Sequence, residues 1–262
     1  MRKRSTLIAG LAVLVATAIV ASVAIAGPVG APVATKDGNS QAVGSVITPK
    51  KLSKTDFGPA ALEVTTKLTT TASSGVPNPT VNVVIDFDKN AKIFTKGIPT
   101  CDPAKLQSTS TEVALQQCGK AKIGGGTAEA LIPVGERIVP ALQTVTAFNG
   151  VPQGGKPVVI LHSYGTTPVQ TTLVLVGTVT RTDKEGYGPR LDINVPLIAG
   201  GSGALIYFNT KIDKKYKYKG KPVSFLSAKC PNSKKLKTRS VFTFKDGETS
   251  NPTSSQSCKQ SK

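Results

Sequence analysis

Histidine is the side chain that most often moves protons near neutral pH, and this sequence has one, His162. Any Ser-His-Asp or Cys-His centre would have to use it. It stands in Val-Val-Ile-Leu-His-Ser-Tyr (158–164), where alternation puts it on one face of a strand, and no G-x-S-x-G accompanies it. Gly200-Gly201-Ser202-Gly203 has the wrong spacing for a nucleophile elbow. His162 therefore reads as an ordinary strand residue. A glycosidase would need two carboxylates flanking the scissile bond, one of them held protonated. The 15 Asp and Glu residues are scattered, and Asp183, Glu185 and Asp246 sit in turn sequence. No catalytic residue is assigned, and no cofactor is implied.

Metal chemistry has two candidates. Asp86-x-Asp88-x-Asn90 has the spacing with which calcium loops begin, which makes Asp86, Asp88 and Asn90 a weak calcium candidate. Ala91 stands where such a loop needs Gly, and Gly97 where it needs a bidentate Glu. The alternative is a hairpin turn at Asp88-Lys89-Asn90, between a strand ending at Phe87 and one starting near Lys92. Cys101, Cys118, Cys230 and Cys258 contain no C-x-x-C pair, which argues against zinc. An even count behind an export leader reads as disulfides. Three pairings are formally possible. Locality favours Cys101–Cys118 and Cys230–Cys258, each loop contributing on the order of 3 kcal/mol in the chain-entropy picture.

The densest chemistry is basic. In Lys215-Tyr216-Lys217-Tyr218-Lys219-Gly220-Lys221, alternation would put Lys215, Lys217, Lys219 and Lys221 on one face of a strand and the two tyrosines on the other. Further lysines and Arg239 crowd residues 211–239, opposed by Asp213. Such a face attracts polyanions with strong salt dependence. It could also be a lysine-studded edge strand that resists aggregation. With no Trp and 5% aromatic residues, sugar recognition by ring stacking is poorly supplied.

These residues need a scaffold, and the chain supplies its signals from the first residues on. A basic head, an apolar run from Leu7 to Ala26 and the small-x-small end Ala24-Ile25-Ala26 predict a cleaved signal peptide over residues 1–26. The same run is just long enough to anchor in a bilayer, but the Gly-Pro that follows favours cleavage. Removing Arg2, Lys3 and Arg4 leaves 30 Lys and Arg against 15 Asp and Glu, a net charge near +15. The expected destination is the medium or the cell surface. The expected partners there are anionic cell-wall polymer or an anionic membrane surface, and not intracellular nucleic acid.

Residues 27–55 show no sustained period and read as a flexible N-terminal arm or linker, ordered only if it pairs with the domain. From residue 56 the pattern is period two, with turn clusters at Asn149-Gly150, residues 183–186, residues 199–203 and Asp246-Gly247. Strands are predicted at 61–69, 80–86, 126–132, 142–148, 158–164, 171–180, 191–197, 204–212, 223–229 and 236–244. One short helix is predicted from a capping box at Thr109-x-x-Glu112. The expected fold is a single all-β antiparallel sandwich or jelly-roll-like domain over residues 56–262.

Several stretches carry a resemblance: Phe87–Ile93, Thr95–Cys101, Val145–Gly150, Ile198–Gly203, Leu226–Pro231 and Phe242–Gly247. Together they resemble a family of exported bacterial all-β proteins of unknown function. The resemblance implies the two-disulfide, exported form and brings no functional residue with it. The expected function is a secreted, non-enzymatic structural or binding domain that touches anionic envelope polymers through its lysine-rich strand. The alternative is a secreted glycosidase-like hydrolase on the same scaffold.

Overall fold

A computed structural model describes residues 29–261; the expected leader, residues 1–26, lies outside them. Strand accounts for 61% of the structure and helix for 8%, so the fold is all-β. Eleven strands form the body: β1 (Asn39–Thr48), β2 (Gly58–Thr70), β3 (Thr80–Asp88), β4 (Lys122–Val134), β5 (Arg137–Gln153), β6 (Lys156–Gly165), β7 (Thr171–Arg181), β8 (Tyr187–Asn194), β9 (Ala204–Ile212), β10 (Lys235–Phe244) and β11 (Thr253–Ser257). They pair antiparallel in the order β1-β2-β9-β4-β5-β6-β7-β8-β3-β10-β11.

The sheet coils until its two edges meet. Side chains, in place of a backbone ladder, make the closure. Gln256 on β11 donates to the Ile47 carbonyl on β1 (2.7 Å), and Ser45 on β1 meets Thr238 on β10 (2.6 Å). The result is a nearly closed, flattened barrel, which protects edges that would otherwise present unpaired amides.

Residues 39–48, expected in a flexible arm, are instead a full-length partner of β2, from Asn39 opposite Thr70 to Thr48 opposite Ala61. Period two is hard to read there because both faces of β1 are covered and its inward set includes polar Gln41, which is 2% exposed. Gln41 is tolerated because its amide donates to the carbonyls of Ala42 and Lys67. Residues 223–229, expected as one strand, break at Phe225, whose ring joins the interior. Leu226–Ala228 beyond the break pairs with both Gly58–Ala60 and Ala91–Ile93.

Both expected disulfides form, Cys101–Cys118 and Cys230–Cys258, with Cα–Cα distances of 5.5 and 5.9 Å. The first ties a helix, α1 (Thr111–Cys118), to the outside of β5 and β6, where Leu106, Ala114, Phe148 and Ile160 are fully buried together. The expected cap is displaced by one residue: Ser110 accepts from the Val113 amide, while Thr109 turns toward His162.

Two interior faces differ in bulk. Along β1, β2, β3 and β10, large side chains such as Leu62, Leu68, Phe87, Phe242 and Phe244 fill the core. Along β4 and β5 the inward register positions include Gly124, Gly126, Ala128, Ala130, Ala141 and Ala147, with the larger Ile132, Gln143 and Val145 among them. No side chain fits at Gly126, where a Cβ would lie 1.9 Å from the Asn209 carbonyl oxygen. The interior keeps two adjoining cavities of about 80 and about 30 Å³, which share Leu161 and Phe208; β4 and β5 line only the smaller.

Candidate anion-binding site at the lysine end

Antiparallel registers fix which connections share an end of the barrel. Thr48, Ile212, Phe148, Arg181, Asp88 and Lys235 all lie toward one end, and the opposite strand termini lie toward the other. At the first end, connections 49–57, 89–98, 182–186 and 213–234 contain fourteen lysines against four carboxylates. At the second, connections 35–38, 71–79, 135–136, 166–170, 195–203 and 245–252 contain two lysines against four carboxylates. The charge of the chain is thus sorted along the barrel axis.

The lysine-rich sequence is a separate hairpin on this end, Lys215–Tyr218 paired with Lys221–Ser224. Lys219 (φ 50°) and Gly220 (φ 75°) form its two-residue turn, the left-handed pair that matches strand twist. This corrects the single-face expectation. Lys215 and Lys217 share an exposed face, Lys219 is in the turn, and Lys221 lies opposite Tyr218 and so on the tyrosine face. A strand cannot continue through two residues of positive φ, and alternation counted across them is lost.

The tyrosines anchor the hairpin. Tyr216 donates to the carbonyls of Phe94 (3.2 Å) and Lys96 (2.9 Å) and stacks on the Phe94 ring at 6.4 Å. Tyr218 meets the same ring edge-on at 5.5 Å. Gly97, at φ 85°, lets the 93–98 loop pass beneath, since a Cβ there would come within 2.6 Å of the Tyr218 ring. Beside the hairpin, Lys92 and Lys229 flank the Phe57 ring at 3.9 and 5.1 Å. Among the described residues the lysines of the hairpin make no ion pair, so their charge faces outward.

The arginines are spent differently. Asp86, 3% exposed, takes Arg190 through both carboxylate oxygens (2.6 and 2.9 Å) and Arg239 at 2.8 Å, and Arg239 continues to Glu185. Burial alone would raise the Asp86 carboxyl; the hydrogen bonds and charges of Arg190 and Arg239 outweigh it and hold it below the ordinary carboxylate range. Asp88 accepts from the Asn90 backbone (2.9 Å) and side-chain amide (2.7 Å), and from the Lys237 amide (3.2 Å). In the calcium candidate Asp86, Asp88 and Asn90, cations and amides of the chain thus already occupy the two carboxylates. Nor is residues 88–90 a hairpin turn. β3 is flanked by β8 and β10, so Ala91–Ile93 leaves to pair with Leu226–Ala228.

His162 is fully buried on the outer face of β6, beneath the 100–110 segment. Its Nε2 lies 3.0 Å from the Thr109 carbonyl oxygen, which it can address only as a donor, so the proton sits on Nε2. Burial, against the opposing hydrogen bond to the Thr109 carbonyl, pushes the imidazole below its ordinary range. At the far end, Asp37, Glu136 and Asp246 line one groove. Asp37 there accepts from Thr35, the Asn39 amide and Asn78, and Asp246 accepts from the Glu248 amide. Among the described residues, no carboxylate converges on His162.

Comparison of the chain with family models, with curated proteins and with solved structures returns no match. The functional reading therefore rests on this geometry. Sequence reasoning found the hairpin lysines and Lys229 but missed Lys92 and Phe57, which only the pairing of residues 91–93 with 226–228 brings beside Lys229. No helix among the described residues is long and apolar enough to cross a membrane.

Proposed function

We propose that this chain is an exported, non-enzymatic binding domain that holds anionic cell-envelope polymer against the lysine end of its barrel. The observation that carries this reading is the axial sorting of charge: fourteen lysines against four carboxylates at one end, two against four at the other. Two disulfides suit an oxidising compartment outside the cytoplasm, which agrees with the expected leader. A polyanion laid across this end would release its condensed counterions to solution as exposed ammonium groups, held on a short, aromatic-anchored hairpin, take their place. Long-range attraction would bring it there, and salt would weaken it steeply.

The test is retention of the mature chain on an anionic cell-wall polymer as a function of salt. The K215Q/K217Q/K219Q/K221Q variant should lose most of its retention at low salt. Its log–log salt slope should fall by several units, about one for each phosphate contact removed. Retention and slope equal to those of the unchanged chain would reject the lysine end as the contact surface.

A further inference from the structure

We infer that the lysine end ranks its partners by linear charge density alone, and that the class it takes is a flexible linear polyanion bound without contact to any ring. The inference rests on the polyanion reading above and narrows it. Two kinds of side chain make an anion site selective for shape. A guanidinium grips carboxylate or phosphate through two parallel hydrogen bonds, and an open aromatic face takes a base by stacking. At this end both kinds are already spent on the fold. Outside the leader the chain has four arginines, of which Arg137 stands at the far end. Of the other three, Arg181 pairs with Asp183 at 2.6 Å, and Asp86 holds both Arg190 and Arg239.

The rings are engaged in the same way. Phe94 packs against Tyr216 and Tyr218. Lys92 and Lys229 sit over the Phe57 ring, and Lys237 and Arg239 over that of Tyr187, which is 8% exposed. None of these rings is exposed. What stays free is the ammonium. Lys215, Lys217, Lys219 and Lys221 are all exposed, and among the described residues they make no ion pair. An ammonium on a four-carbon stem is a point charge with no preferred plane. It answers to the spacing of charges along a polymer, which sets how many condensed counterions binding releases. A ligand that also carries bases gains nothing here beyond its phosphates.

The experiment measures binding of the mature chain to two fluorescent oligomers of equal length, oligo-dT and its abasic counterpart, across a salt series. Both carry the same phosphodiesters, so they should bind alike within about twofold and with one salt slope. Extrapolated to molar salt, where counterion release no longer contributes, the affinity should vanish. The lysine-to-glutamine variant should lose affinity for both oligomers by the same factor. One base stacked on an open ring would instead favour oligo-dT by at least about fivefold, and that result would overturn the inference. So would affinity that persists at molar salt, the mark of directed hydrogen bonds. Failure of both oligomers to bind at low salt would reject the polyanion reading itself, whereas a preference for bases rejects only the charge-density inference.

Discussion

The two sides of the barrel interior are built to different densities. Facing β1, β2, β3 and β10, side chains of leucine and phenylalanine size interdigitate, and Val43 and Phe244 are 0% and 1% exposed. Facing β4 and β5, six inward positions carry only a hydrogen or a methyl, although Ile132, Gln143 and Val145 stand among them. The dense side gives the fold its hydrophobic stabilisation. The lean side lets the sheet coil tightly, as the approach of Gly126 to the Asn209 carbonyl shows, and leaves space within.

The largest break in that contrast should come from Phe244→Ala. On the dense side it should cost about 3–5 kcal/mol in denaturant unfolding, with no change in the slope that reports exposed area. Next is Asp86→Asn, where the dense side meets β8. Arg190 and Arg239 keep 38% and 28% of their side-chain surface exposed, so solvent screening tempers the loss to about 1–3 kcal/mol.

A pH titration probes the outer face of β6. The folded chain holds His162 neutral, below the ordinary value of 6.5, so the unfolded chain binds the extra proton. Stability should be fully present above that value and fall as pH drops through and below it, by up to about 1.4 kcal/mol per pH unit. His162→Gln should flatten that slope between roughly pH 6.5 and the carboxylate range. The lowered Asp86 carboxyl adds a second loss only in acid, as pH falls below its ordinary 3.8.

The smallest effect is also the sharpest comparison. One added methylene in Val43→Ile should cost about 1–3 kcal/mol by overpacking. The same change at Val159, beside the larger cavity, should be neutral within about 1 kcal/mol. Equal costs at the two positions would show that both walls are packed alike.

Much of this was legible in the residues. β10 alternates over its whole length because one face meets the core, and side-chain period two is a local property. The cysteines paired with near neighbours for a related reason: turn-rich sequence brings such residues within bridging distance without help from distant strands. β1 was not legible, because it is covered on both faces and carries Gln41 inward. The hairpin lysines were legible as charge but not as a surface, since the turn at Lys219-Gly220 resets alternation.

By itself, the sequence determined an all-β chain with excess positive charge and two short-range bridges, since composition and local period suffice for those. The tertiary structure decided that the lysines gather at one end, that Asp86 holds two arginines from other strands, and that the Thr210 hydroxyl is buried without a hydrogen-bond partner. Each depends on which strands become neighbours and in what register. Those choices are set by how the whole interior closes, and no window of residues contains them.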